Sequence, residues 1–330
     1  MRLHIQNPAD TPLPITVEEW DAVARRNPDV ASRFEVSIGF EEKDLDLYLP
    51  EVEILVTWVD VAKERFVVGS LPGSAPRLKV IYCNSTGIDR LAPFHWLPEG
   101  VALVNNSGVQ SKKAGEFAIM ALLMLQNRMP ALIAGQQTCA WNFLYGSTLQ
   151  GRTLGIVGMG SIGGEVARQA RHFGMHIIGV RSSSASHPEC DETVSVTDLN
   201  GILPRVDDLL LACPLTEQTR NLLSRQRVAL LRKGARIVNI ARGAVWDQDA
   251  VCDALDAGQL DSAFTDVTVP EPLPSDHRLW RTPNLIITPH VAADDQKHHN
   301  ENTLDLLLAN LKEFLEGRPI PNRIDPRKGY

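Results

Sequence analysis

Three side chains stand where a sheet could present them to a ligand. Arg242 follows the apolar run ARIVNIA, Glu271 follows SAFTDV by a short proline-rich loop, and His290 follows LIITP. Each run reads as a strand, and in an open parallel sheet ligands sit beyond the carboxyl ends of the strands. An arginine fork matches a carboxylate and can also polarise a neighbouring carbonyl. A histidine titrates near neutrality and can pass a proton. A glutamate beside it favours the protonated imidazole. Taken singly, such residues are ordinarily surface or structural groups. The ordered set RGAVWD, DVTVPEPL and TPH, each at a strand end, is what suggests a site. The chemistry would be protonation of a carbonyl oxygen on a molecule held by its carboxylate, a general-acid step worth about 10²–10⁴-fold.

A second constellation would supply electrons to that carbonyl. Gly158-Met159-Gly160-Ser161-Ile162-Gly163 follows the strand TLGIVGM and opens a helix expected over 162–172. That is the context in which such a glycine motif holds a dinucleotide. Gly158 permits the tight turn, Gly160 lets backbone approach a pyrophosphate, and Gly163 lets helix and strand pack closely. The helix N-terminus, with the amides of Ser161 and Ile162, would face the anion. About 20 residues on, an acidic residue would normally bind the ribose 2′-hydroxyl. Here Arg181 stands there, followed by Ser182, Ser183 and Ser184. A guanidinium cannot accept a hydrogen bond from that hydroxyl, but it pairs with a 2′-phosphate. The expected cofactor is therefore NADP(H) in preference to NAD(H), unless Arg181 and the serines form only a solvated loop. One charge-assisted hydrogen bond, about 1.5–3 kcal/mol, sets the preference at roughly ten- to a hundredfold.

Positioning these residues takes a sheet, and the chain is patterned for α/β architecture. Short apolar runs alternate with longer amphipathic ones. In the first third the expected strands are 34–39, 52–57, 78–83 and 101–104. A helix is expected over 17–25, started by Thr16 as N-cap with Glu19 three residues on, a capping box. Residues 114–129, AGEFAIMALLMLQNRM, read as a helix apolar almost all round, which implies burial, with its methionines as packing residues. From Thr153 a second series begins: TLGIVGM, HIIGV, DLLLA, ARIVNIA, SAFTDV and LIITPH. Near-continuous Ile/Val/Leu runs suit parallel strands covered on both faces. An amphipathic helix over 302–315 follows, ended by Gly317 and Pro319.

Composition excludes several classes. At roughly 150 residues per domain, 330 residues make about two domains. A net charge of −7 without a basic stripe argues against a nucleic-acid partner, though not against a local basic pocket. The five cysteines are odd in number, widely spaced and without a CxxC pair, which suits free core thiols in a reducing cytoplasm. The opening residues MRLHIQNPADTPLP lack the apolar stretch of a signal peptide. No apolar run reaches about 18 residues, so no membrane span is expected. No Cys/His ligand set is present, and the adjacent His298 and His299 point different ways on a helix, so no metal site is expected. None of Tyr48, Tyr82, Tyr145 and Tyr330 has a lysine four residues on, which disfavours a dehydrogenase built on a Tyr–Lys pair.

Taken together, NSTGID, NNSGVQSKKAGEF, LQGRTLGIVGMGSIGGEVA, ACPLTEQTRNLLS, NIARGAVWDQDAV, DVTVPEPLP and ITPHVAADD resemble the D-isomer-specific 2-hydroxyacid dehydrogenase family. The resemblance covers about 84–325 and is weak before that. It implies two flavodoxin/Rossmann-like domains with doubly wound parallel sheets. One, for substrate, is discontinuous over 1–108 and 296–330; the other, for the dinucleotide, is 109–295. It implies Arg242, Glu271 and His290 as the catalytic set, with Arg242 and His290 also touching substrate. Ser85, Thr86, Gly87 and Ile88 would receive the substrate carboxylate. Asp266 would bind the nicotinamide carboxamide, and Cys213, Pro214, Thr219, Ile240 and Ala241 would line the cofactor. The reaction implied is reduction of a small 2-keto acid, of the glyoxylate or hydroxypyruvate type, to a D-2-hydroxy acid. The assembly implied is a homodimer packed through the cofactor domain and the helix after Gly108. Three residues depart from the pattern: Arg181 replaces an acidic residue, Trp246 a small aliphatic one, and Gly115 an alanine. Glu271 separates the chain from the formate dehydrogenase branch, where glutamine takes that place. A dinucleotide-sensing corepressor, which would be expected to carry a peptide-binding groove or partner-binding tails, is the alternative reading, and the lack of long tails argues against it.

Overall fold

Strands rich in Ile, Val and Leu bury both faces, so helices must cover them on each side, and the chain builds two such layered units. In the computed structural model, which describes residues 1–69 and 75–330, one unit comprises Met1–Gln110 with Asp295–Tyr330 and the other Ser111–Asp294.

Among the described residues, the first unit holds five parallel strands: β1 (Arg2–Gln6), β2 (Glu35–Gly39), β3 (Ile54–Thr57), β4 (Val80–Cys83) and β5 (Ala102–Val104), in the order β2-β1-β3-β4-β5. This is the flavodoxin-like order. Alternate residues go to opposite faces: Leu3, Ile5, Ile54, Val56 and Tyr82 pack into one core, and Leu55, Ile81, Cys83 and Leu103 into the other. The expected strand over 34–39 and its three successors are present, each within two residues at its start. The capping box of the helix Val17–Arg26 is present in both directions.

β1 is absent from the strands expected from the sequence, which begin at residue 34. Only Leu3 and Ile5 are apolar in RLHIQ, yet His4 and Gln6 are fully buried. His4 Nδ1 meets Ser37 Oγ at 2.8 Å and Nε2 meets Gln6 Oε1 at 3.0 Å, and the ring stacks on Tyr48. Burial pushes this imidazole below its ordinary pKa. Partners more than 30 residues away make the strand possible, and no local pattern announces them.

The second unit holds seven parallel strands: β6 (Thr153–Val157), β7 (His176–Arg181), β8 (Glu192–Ser195), β9 (Asp208–Leu211), β10 (Ala235–Asn239), β11 (Leu260–Thr265) and β12 (Leu285–Ile287). Their order is β12-β11-β10-β9-β6-β7-β8, so the winding reverses between β6 and β9. Leu209 and Leu211 face one core and Leu210 the other, which is the doubly wound pattern. β8, the short polar edge strand ETVS, was not anticipated. The apolar helix read over 114–129 runs Ser111–Gln126, and a second helix, Met129–Gln137, leaves it at 67°. No single helix among the described residues is long and apolar enough to cross a membrane. Gly115 has a steric reason: a Cβ there would lie 2.8 Å from the side chains of Glu165 and Gln169 on the helix Ser161–His172.

At the amino ends of β9 and β10, opposite the edge that carries the glycine motif, lies a buried ion pair. Asp208 is fully buried and accepts from Arg236 Nε at 2.6 Å and Nη2 at 2.9 Å, and from Arg152 Nε at 3.1 Å. Arg236 also donates to Gln126 Oε1.

Candidate active site

β10, β11 and β12 are neighbours, so the loops beyond their carboxyl ends share one edge of the sheet. Arg242, Glu271 and His290 lie on those three loops. At the first, buried Asn239 ends β10 and folds its side chain over the turn: Oδ1 accepts from the Ala241 amide at 3.0 Å and Nδ2 donates to Arg242 O at 3.2 Å. Arg242 Nη1 donates to Ala241 O at 2.8 Å. Beneath the turn Trp246 is buried in the core, its indole N–H without a partner among the described residues.

Glu271 and His290 meet. His290 Nδ1 lies 2.9 Å from Glu271 Oε2, and Glu271 Oε1 accepts the Thr268 amide at 2.8 Å. Both side chains stay partly open, at 41% and 30% exposure, so the free nitrogen Nε2 of the imidazole can reach a ligand. With Nδ1 held by a carboxylate, Nδ1 carries the hydrogen and Nε2 is left as the atom that exchanges a proton.

His290 sits at φ +58°, a left-handed conformation that costs a non-glycine residue about 1–2 kcal/mol. Asp266 compensates. Its carbonyl accepts the His290 amide at 2.8 Å, while its carboxylate accepts Thr288 Oγ1 at 2.6 Å, the Val291 amide at 2.9 Å and the Ala292 amide at 2.8 Å. Asp266 is thus the clasp of the His290 turn, a role sequence reasoning missed.

At the reversal between β6 and β9, the glycine motif meets the loop that follows β9. Gly158 has φ +103°, and a Cβ there would lie 2.6 Å from the Cys213 backbone. A Cβ on Gly163 would strike Gly158 O, whereas one on Gly160 would meet nothing within 4 Å. Open space thus faces the N-terminus of the helix Ser161–His172, which no side chain caps. An anionic pyrophosphate fits this arrangement of donors and clearance. Across the turn, Thr219 Oγ1 donates to Pro214 O at 2.6 Å and holds that loop in shape. Cys213 is buried, which pushes its thiol up to about 12. Ile240 is bound through its amide to Leu211 O, and Ala241 is buried beside it. Arg181 ends β7; its guanidinium makes one long contact, 3.5 Å to Ala185 O, and has no carboxylate partner among the described residues. Ser182 and Ser183 are exposed.

Ser85, Thr86, Gly87 and Ile88 belong to the other unit, beyond the end of β4. Asn106 N donates to Ser85 O at 3.0 Å, Asn105 Nδ2 donates to Thr86 O at 2.8 Å, and Thr86 Oγ1 donates to Gln110 Oε1 at 2.8 Å. Just before the loop, buried Asn84 accepts from Asn106 Nδ2 at 3.0 Å, Thr303 Oγ1 at 3.2 Å and His299 Nε2 at 3.0 Å. This bridge to the helix His299–Leu315 was not foreseen. Polar residues inside the apolar-patterned final helix were the available signal.

Known proteins resemble this chain over most of its length. Residues 119–292 match the family described as D-isomer specific 2-hydroxyacid dehydrogenase, NAD binding domain. The chain is 31% identical to the glyoxylate reductase/hydroxypyruvate reductase of Homo sapiens, over 77% of this chain and 79% of that one. It is 32% identical to the D-3-phosphoglycerate dehydrogenase of Methanocaldococcus jannaschii over 88% of its length, and spans only 55% of that longer relative. Among solved structures, the NADPH-dependent glyoxylate/hydroxypyruvate reductase of Sinorhizobium meliloti, in complex with NADP and sulfate, superposes with a TM-score of 0.81 at 26% identity, covering 100% of both chains.

Proposed function

Since the chain belongs to the D-isomer-specific 2-hydroxyacid dehydrogenase family, oxidoreductases that act on CH–OH donors with a nicotinamide dinucleotide, we propose that it reduces a small 2-keto acid to a D-2-hydroxy acid with NADPH. The observation that carries this reading is the Glu271–His290 pair at 2.9 Å, on loops neighbouring that of Arg242.

When bound, the nicotinamide supplies the hydride. The chain's own residues do the rest. Arg242 pairs with the substrate carboxylate and polarises the adjacent carbonyl. His290 donates the proton on Nε2 to the carbonyl oxygen, while Glu271 holds Nδ1–H and fixes the ring. The amides of Ser85, Thr86, Gly87 and Ile88 are the groups we propose to receive the substrate carboxylate. Gly158, Gly160 and Gly163 with the helix N-terminus at Ser161 and Ile162 hold the pyrophosphate; Cys213, Pro214, Thr219, Ile240 and Ala241 line the remaining length. Asp266 has three of about four acceptor positions occupied, which leaves one for the carboxamide. The relatives' names support glyoxylate or hydroxypyruvate as substrate. The five free cysteines suit the cytoplasm.

The assay follows NADPH and NADH oxidation against glyoxylate, hydroxypyruvate, pyruvate and a phenyl keto acid. Turnover of one of them with NADPH ahead is expected; silence on all four, with NADPH still bound, would remove the reading. Arg181, which has no carboxylate partner among the described residues, is the group we propose to meet the 2′-phosphate. Arg181→Asp should therefore swing the NADPH/NADH ratio of kcat/KM toward NADH by about ten- to a hundredfold, the worth of one charge-assisted bond. An unchanged ratio would mean that the phosphate is read elsewhere.

The assembly we propose is a homodimer. Beyond the helix Met129–Gln137 the chain exposes Trp141, Phe143 and Tyr145, at 88%, 73% and 81%. Large aromatics so exposed mark a contact surface. Sedimentation velocity should give a dimer for the wild type and a monomer for Trp141→Ser/Phe143→Ser; a wild-type monomer at micromolar concentration would refute the assembly.

A further inference from the structure

The loop that carries Glu271 is poor in means of holding itself. In Val269–Pro274, VPEPLP, three of six residues are prolines and lack an amide hydrogen. The loop is nevertheless held, and from outside. Gln248, the first residue of the helix Gln248–Asp256, turns its carboxamide onto the Val269 peptide unit: Nε2 donates to Val269 O at 2.8 Å and Oε1 accepts the Val269 amide at 2.8 Å. One side chain thereby satisfies both polar groups of a single loop residue, as a neighbouring strand would. A second contact seats the residue before it. A Cβ on Gly243 would lie 2.3 Å from the Thr268 carbonyl carbon, so the Arg242 turn packs directly against Thr268. Thr268 in turn gives its amide to Glu271 Oε1 and its hydroxyl to Pro270 O. The segment Arg242–Gln248 therefore supplies one candidate catalytic side chain and braces the loop of another.

We propose that Gln248 is a positioning residue for the reduction: its two-point hold on Val269 keeps Glu271 aligned on His290 Nδ1. The idea rests on the acid–base reading given above. Because Gln248 acts through Glu271, its loss matters only while the Glu271 carboxylate is present.

The test is a double-mutant cycle on the full-length enzyme with NADPH and whichever of hydroxypyruvate or glyoxylate the wild type turns over faster. Gln248→Met removes both hydrogen bonds and keeps the volume. It should lower kcat about tenfold, within the 10–100-fold range typical of outer-shell positioning groups, and leave NADPH affinity within about twofold as a check on folding. In a Glu271→Gln background the same change should alter kcat less than about twofold. A readout without cofactor or substrate comes from proton NMR of the enzyme alone: a downfield Nδ1–H resonance, absent from Glu271→Gln, should broaden or shift in Gln248→Met. If Gln248→Met leaves both kcat and the resonance unchanged, or slows both backgrounds equally, the positioning role is overturned and the acid–base reading stands. If Glu271→Gln itself turns over like the wild type, the acid–base reading falls and takes the proposal with it.

Discussion

Replacing His290 by alanine is expected to lower kcat by about 10²–10⁴-fold, the contribution of a positioned general acid. NADPH affinity should stay within about twofold, because the residues proposed to hold the cofactor are untouched. The expectation follows from three features. Nδ1 is engaged at 2.9 Å by Glu271, so Nε2 is the atom that can give up a proton. The imidazole is 41% exposed, so a ligand can reach it. The turn is clasped by Asp266 through two backbone amides and a threonine hydroxyl, so the ring's origin is fixed. Because His290 has φ +58°, His290→Asn is the companion variant: asparagine tolerates left-handed backbone better than alanine. Equal losses in the two variants would assign the effect to the missing imidazole. Turnover within about threefold of wild type in both would remove His290 from the chemistry. A large loss in alanine alone would assign the effect to the backbone.

Asp208→Asn should produce the largest loss of stability, about 3–5 kcal/mol, the usual consequence of removing one partner of a buried ion pair. Asp208 is fully buried and Arg236 nearly so, and the carboxylate takes two guanidinium hydrogen bonds from Arg236 and one from Arg152. The asparagine carboxamide has one oxygen to offer where three donors converge, and it leaves the Arg236 charge buried without its counter-charge. For a unit of this size the melting temperature of the corresponding calorimetric transition should fall by roughly 6–20 °C. Since the chain has two compact units, the transition must be assigned to the one carrying Asp208 before the shift is read. The pair lies at the amino edge of the sheet, so NADPH/NADH preference should be untouched. A change of less than about 1 kcal/mol would mean that Asp207, which already binds Arg232 at 2.6 Å, compensates the Arg236 charge.

The two outcomes concern opposite edges of one sheet. At the amino ends, charge is buried and fully paired, and a substitution there is felt as stability. At the carboxyl ends, the strands release into loops where His290 and Glu271 stay partly open, and a substitution there is expected to be felt as chemistry. The price of the second arrangement is visible in the backbone, where a histidine is held left-handed and a proline-rich loop shares two hydrogen bonds with Gln248.

By itself the amino-acid order determined the α/β class, most strands, the capping box at Thr16, the dinucleotide turn and the three loops that carry Arg242, Glu271 and His290. Each of these depends on neighbours along the chain: a two-residue alternation, a glycine spacing, a side chain just past an apolar run. The tertiary structure alone decided the rest, because the partners are far apart in sequence. It placed β1 between β2 and β3 by burying His4 against Ser37. It turned Asp266 into the clasp of a turn 24 residues on, and tied Asn84 to His299 and Thr303 across more than 200 residues. Arg181 shows the boundary between the two. Its charge and its place at a strand end are written locally, whereas its lack of a carboxylate partner among the described residues depends on what the fold brings near.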